Sequence, residues 1–225
     1  DDFYKCIDLF NSVKDNTDKI IYNYMKNDIY FNDIGICSFS MKKFINLPNF
    51  LQVKLLNFLI RVIGGKKYPR KNKVINRVLS NILSETRTNT TVGGAYLKIN
   101  KHDIVMFRQL DNSFKISELK NIDTIWDRRF IVKNKTNKYN LTIGPLGEKD
   151  YLKMNKLNKI QKPSINFNAI KTIPAIRVLE QIVSVPHLLY WKSNFWKNNV
   201  SLENVEHKLF KQYKNFEIFK LGEKL

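Results

Sequence analysis

The feature that most constrains the fold is a change of apolar period near residue 84. Up to Leu83 the large apolar residues recur at helical spacing; from Val92 onward they alternate. Residues 2–27 form one helical stretch, with Phe3, Ile7, Phe10, Val13, Ile20, Ile21 and Tyr24 at roughly 3.6-residue spacing and no proline. Asn27 to Ser40 is a short extended element or loop with Ile34, Ile36 and Phe39 as core candidates, and Ser40 caps a short helix over 41–46. Leu51, Leu55, Leu56, Leu59 and Val62 mark a helix over 49–63, ended by Gly64-Gly65, because glycine tolerates the left-handed geometry of a C-cap. After the Tyr68-Pro69 connector, Val74, Ile75, Val78, Leu79, Ile82 and Leu83 define a helix over 70–84.

Beyond the change of period, 92–99 and 103–108 flank Asn100-Lys101-His102 as a hairpin. Gly93-Gly94 falls within the first of these strands, as a bulge or a close backbone approach. Residues 111–121 are a loop and a candidate boundary. Residues 124–127 and 130–132 begin a second strand region, with 138–143 as its pairing partner. A short helix over 148–157, a polar loop over 158–171, a strand pair over 177–185 and an aromatic, lysine-rich tail over 188–225 complete the chain. The reading is an α+β chain of three segments: 1–48, mainly helical; 49–112, a helix pair with a β-hairpin; 113–225, a β-rich domain with an aromatic, lysine-rich tail.

Charge narrows the function. Of the 225 residues, 39 are Lys or Arg and 20 Asp or Glu, for a net charge of +19. A lysine- and asparagine-rich composition accounts for part of this, so placement matters more than the total. Residues 1–60 carry seven bases and seven acids; residues 61–120 carry 13 and four. Five of the eight arginines are Arg61, Arg70, Arg77, Arg87 and Arg108. Between positions 61 and 77 stand Arg61, Lys66, Lys67, Arg70, Lys71, Lys73 and Arg77 with no acid among them. A solvated helix face usually mixes both signs, so this run points to a polyanion, most simply RNA, held by phosphate contacts. Arg108 at a strand end and Arg128-Arg129 beside Trp126 are further RNA-binding candidates. Trp126 itself is a base-stacking residue or a core residue. The alternation Ile104, Met106, Arg108 projects the Arg108 head toward the surface that carries Arg70 and Arg77.

The chain has no GxxxxGK[ST], GxGxxG or SGGxDS loop, so it contains no phosphate cradle. Cys6 and Cys37 form neither a CxxC nor a Cys/His cluster, which argues against zinc and for a reducing, cytoplasmic setting. His102 and His207 read as solvated and His187 as structural. No catalytic and no metal-binding residue is expected in this chain. No stretch approaches the ~20 apolar residues of a membrane span.

The order of motifs carries a resemblance. IGGKKYPRKNKVINRVLSNIL is followed by TVGGAYLKINKHDIVMFRQL, then WDRRFIV, IGPLGEKDY and IPAIRVLEQIVSVPHL. Over roughly 50–190 this resembles the C-terminal part of tRNA(Ile)-lysidine synthetases of the alphaproteobacterial kind. The chain departs from the family pattern at Pro69-Arg70, Val92, Gln109 and Arg128, the last standing where the family usually has Gly. The resemblance implies a tRNA-recognition portion without the N-terminal ATP-pyrophosphatase domain, with 1–48 as the end of the catalytic domain or linker helices and 49–112 as the tRNA-recognition helix pair and hairpin. In the parent enzyme, ATP and Mg serve to adenylate C2 of the wobble cytidine 34, and lysine is then added. The implied partner is tRNA(Ile) with a CAU anticodon, with no membrane partner and room for a homodimer. This chain alone is expected to be inactive. The rival reading is a stand-alone basic RNA-binding protein with no enzymatic parent.

Overall fold

A computed structural model describes residues 2–84, 86, 88–112, 114–120, 123–157 and 166–204. Arg87, His207, most of the expected loop 158–171 and the tail beyond 204 lie outside them. The fold is α+β, with the helices gathered toward the N-terminal half and small antiparallel sheets throughout. No described helix is long and apolar enough to cross a membrane.

Helix α1 (Asp2–Asp28) leads into strands β1 (Ile29–Phe31) and β2 (Cys37–Ser40). Helices α2 (Met41–Ile45), α3 (Asn49–Ile63) and α4 (Asn72–Leu83) follow, then β3 (Thr90–Val92), β4 (Ala95–Ile99) and β5 (Asp103–Arg108). The Ser40 hydroxyl caps α2 by accepting from the Lys43 N–H at 3.4 Å. The β4–β5 hairpin pairs Ile99 with Ile104 and Ala95 with Arg108. Its sheet has the order β1-β2-β5-β4-β3. Leu55, Leu59 and Ile63 of α3 and Ile75, Leu79 and Ile82 of α4 pack with Leu97, Ile104 and Met106 of the sheet.

This sheet runs across residue 48, where the sequence reading divides the chain. Residues 37–40 are the direct neighbours of β5, with Cys37 opposite Met106. Helix α1 is less buried than its spacing suggests. Ile21, Tyr24 and Met25 reach the core, while Tyr4, Leu9, Val13 and Ile20 are exposed.

The second half contains β6 (Ser117–Leu119), β7 (Thr124–Trp126), β8 (Phe130–Asn134), β9 (Leu141–Pro145), α5 (Gly147–Lys156) and α6 (Phe167–Ile170). Then come β10 (Pro174–Val178), β11 (Gln181–Val185), a 3₁₀ turn over Pro186–Leu188, β12 (Tyr190–Trp191), α7 (Asn194–Asn199) and β13 (Val200–Asn204). One sheet has the order β12-β11-β10-β9-β6 and the other β13-β8-β7. The expected pairing of 138–143 with the strands at 124–132 does not occur. β9 lies between β10 and β6, and the edge of β8 is taken by β13. The loop expected at 111–121 contains β6, and the polar loop expected to 171 gives way to α6 from Phe167.

Two of the contacts among the described residues bear on how the halves meet. Ile34, in the β1–β2 turn, belongs to the core of Leu146, Ile170, Ile173 and Val185, and Ile36 packs against it. The second link is a polar junction beneath the α3–α4 connection, and it positions the basic residues.

Candidate nucleic-acid interface

The interface begins with the end of α3. The Gly65 N–H donates to the Val62 carbonyl at 3.2 Å and the Lys66 N–H to the Arg61 carbonyl at 3.0 Å, with Gly65 at φ +62°. These two bonds form a Schellman motif, which reverses the chain and aims it at α4. They also commit the N–H groups that a phosphate cradle would need. Gly93-Gly94 is a two-residue turn between β3 and β4, with Val92 opposite Ala95 and φ of +61° and +84°. It is thus neither strand interior nor bulge. The expected close backbone approach does occur: a Cβ on Gly64 would stand 2.1 Å from the Gly93 carbonyl oxygen.

The connector 66–71 is pinned from the side. The Asn57 amide donates to the Arg70 carbonyl at 2.9 Å and accepts from the Arg70 N–H at 2.8 Å. That clasp fixes the backbone while leaving the arginine head outside. Lys67, Arg70, Lys71, Lys73 and Arg77 are exposed, and Lys66 and Arg61 are half-buried. Arg61 lies 5.7 Å from the Phe58 ring centroid, and the Lys67 ammonium lies 5.4 Å from that of exposed Tyr68. Lys73 and Arg77, four residues apart on α4, share one helix face. The Arg70 Nε lies 2.9 Å from where a Gly93 Cβ would be, so its head rests on the glycine turn.

The structure separates the three remaining arginine candidates. Arg128 is exposed at the tip of the β7–β8 turn, with φ +57°. The Asp127 carbonyl oxygen beside it lies 2.6 Å from the Cβ position of Gly65, so this tip abuts the basic connector. Arg108 and Arg129, by contrast, are 2% and 0% exposed. Arg108 donates from Nε to Asp127 Oδ2 at 3.2 Å, and from Nη1 to the Gly94 carbonyl at 3.0 Å and Asp111 Oδ2 at 3.1 Å. Arg129 donates from Nε to Asp127 Oδ2 at 2.7 Å and from Nη2 to the Thr172 carbonyl at 2.8 Å. Both heads also stack on rings, Arg108 on Phe114 at 4.3 Å and Arg129 on Phe130 at 4.7 Å. The expectation that the Arg108 head joins the surface of Arg70 and Arg77 is therefore overturned. Its face of β5 is the core face, and a buried guanidinium must be paired. Arg108 and Arg129 are structural residues that tie the glycine turn, the β7–β8 turn and the link between α6 and β10 together.

Trp126 is a core residue, 4% exposed, with its indole N–H directed to the Lys115 carbonyl. His187 is structural too. Its ring lies 5.0 Å from Phe130, and its Nδ1 is enclosed without a hydrogen-bond partner. Burial, and then the Arg129 charge, push its pKa down to about 4. Sequence reasoning missed Asp127 and Asn57. Asp127 had a signal, as a single acid between Trp126 and the pair Arg128-Arg129; Asn57 had none.

Among the described residues, no group of His, Cys, Asp and Glu could hold a metal ion. The Gly64-Gly65 amides are committed to carbonyls of α3 and so are not open to a phosphate. The arrangement is a set of exposed basic side chains on a connector whose backbone is held by the Schellman motif and the Asn57 clasp. Similarity to known proteins adds a particular kind. The chain is 25% identical over 199 residues to the tRNA(Ile)-lysidine synthase of Rickettsia conorii, covering 82% of this chain and 42% of that protein. It is 23% identical over 193 residues to that of Orientia tsutsugamushi, covering 83% and 44%. With the enzyme of Rickettsia prowazekii the figures are 26% over 175 residues, 75% and 41%. No family model matches the chain. The resemblance read from the motifs is thus borne out, and the chain spans about two fifths of the length of these relatives.

Proposed function

We propose that this chain is the tRNA-recognition portion of a tRNA(Ile)-lysidine synthase. It holds the tRNA backbone while lysine is added to C2 of wobble cytidine 34 by an ATP-dependent domain elsewhere in the parent enzyme. The observation that carries the reading is the α3–α4 connection. Lys67, Arg70, Lys71, Lys73 and Arg77 are exposed there on a backbone held by the Schellman motif and the Asn57 clasp. The similarity to lysidine synthases supports tRNA(Ile) as the polyanion. Arg128 extends the basic surface from the second half. Such contacts position an RNA without reading its sequence. Selection of the CAU anticodon is therefore assigned to the rest of the parent.

The test is a salt titration of tRNA(Ile) binding by the 225-residue chain and by a Lys67→Gln/Arg70→Gln/Lys73→Gln variant. Each lost phosphate contact should flatten the slope of log affinity against log salt by roughly 0.7–0.9. The variant should therefore be weaker and roughly two to three units flatter. Equal affinity and equal slope would make these residues an ordinary solvated surface.

A further inference from the structure

Beside the basic connector lies a groove that phosphate contacts leave unused. It is a cavity of about 590 Å³ between the outer face of α3 and the start of α4. Phe50 stands on it with its residue 57% exposed, although it lies in the first turn of a helix whose other large apolar residues are mostly buried. Phe58 and Arg61 line the same side, about two and three turns beyond Phe50 and in contact with each other. Asn72 and Asn76, four residues apart, face them from α4 and are exposed. Lys54, held by Asp18 of α1, also lines the groove; none of the lining residues is acidic.

We infer that this groove is a subsite for one unpaired nucleotide of the bound RNA. The inference rests on the reading of the chain as an RNA-binding portion and adds to it a single-stranded element. Three features select that occupant. The exposed Phe50 ring offers a stacking face, which every base can use. The Asn72 and Asn76 amides each carry donors and an acceptor, matching the mixed edge of a base. The Arg61 guanidinium, with Lys73 and Arg77 on the neighbouring face of α4, complements the attached phosphate. The cavity also falls within the few-hundred-Å³ range of small-ligand sites and holds one nucleotide with room for its backbone. A plain apolar partner would leave the amides and guanidinium without counterparts.

The experiment uses the full chain and two RNA probes of equal phosphate count. One is a blunt duplex; the other carries a single-stranded 3′ overhang with 2-aminopurine. The overhang probe should bind more tightly, and its fluorescence should be quenched on binding. A Phe50→Ala/Asn76→Ala variant removes no charge and alters only exposed side chains. It should lose affinity for the overhang probe by on the order of tenfold, lose the quenching, and keep the blunt-duplex affinity and salt slope. Equal binding of both probes with an intact salt slope would overturn the subsite and leave the backbone-binding reading standing. So would a variant that weakens both probes alike. Salt-independent or absent binding of both probes would overturn the two readings together.

Discussion

Removing the Asp127 carboxylate tests the polar junction most directly. It bridges two guanidinium groups, through Oδ2 to Arg108 at 3.2 Å and to Arg129 at 2.7 Å, and through Oδ1 to Arg108 at 3.3 Å. Both arginines are nearly inaccessible, so Asp127→Ala leaves two positive charges in a poorly solvated place. Breaking a buried pair in this way costs about 3–5 kcal/mol. At about 2–4 °C per kcal/mol for a chain of this length, Tm should fall by roughly 6–20 °C. Arg108 keeps the Gly94 carbonyl and Asp111, which places the loss toward the lower end of that range. Asp127→Asn, which keeps an acceptor but loses the charge, should cost about half as much. Adding Arg129→Met to Asp127→Ala should restore part of the stability, because an apolar side chain of similar length no longer demands a counter-charge. Urea denaturation of the four proteins measures each step. A loss below about 1 kcal/mol in Asp127→Ala would show that water reaches the cluster, and the junction would then not hold the basic connector in place.

Two other outcomes follow from the same region. Gly64→Ala would put a Cβ 2.1 Å from the Gly93 carbonyl and 2.6 Å from that of Ile60. Both obstacles are backbone, so the glycine turns must part, at a cost of about 3 kcal/mol, the upper end of the usual overpacking range, in a denaturation curve; a variant as stable as the parent would refute the close approach. His187 supplies a pH dependence. It stays neutral in the fold down to about pH 4, whereas an unfolded imidazole takes a proton below about 6.5. The unfolded chain therefore binds the extra proton between these values, and stability drains away as pH falls through that window, by about 3 kcal/mol at its lower end. His187→Gln should remove this share of the acid sensitivity between pH 7 and 4.5; identical pH profiles for the two proteins would refute it.

The amino-acid sequence by itself determined the elements whose instructions are local. The apolar stripe of α3, the paired glycines that end it and the alternation of β4 and β5 each lie within one segment, where neighbouring residues decide the backbone. The exposure of Lys67, Arg70, Lys71, Lys73 and Arg77 was legible for the same reason: each falls off the apolar stripe or in the connector. What Arg108 does was not legible. Alternation put it on the face of Ile104 and Met106, but the more buried of its two counter-charges, Asp127, lies 19 residues away on a turn of another sheet. The same limit hid the partners of β9, which pairs with β10 across the intervening α5 and α6 and leaves the nearer β8 to β13. Period and composition say which side of a strand is apolar, and tertiary packing says what covers it. A buried charge or a free sheet edge is satisfied by whichever distant group the packing brings within about 3 Å. Only the folded chain brings those groups together, so only the tertiary structure could divide the candidate arginines into exposed ones such as Arg70, Arg77 and Arg128 and buried ones, Arg108 and Arg129, that hold the scaffold.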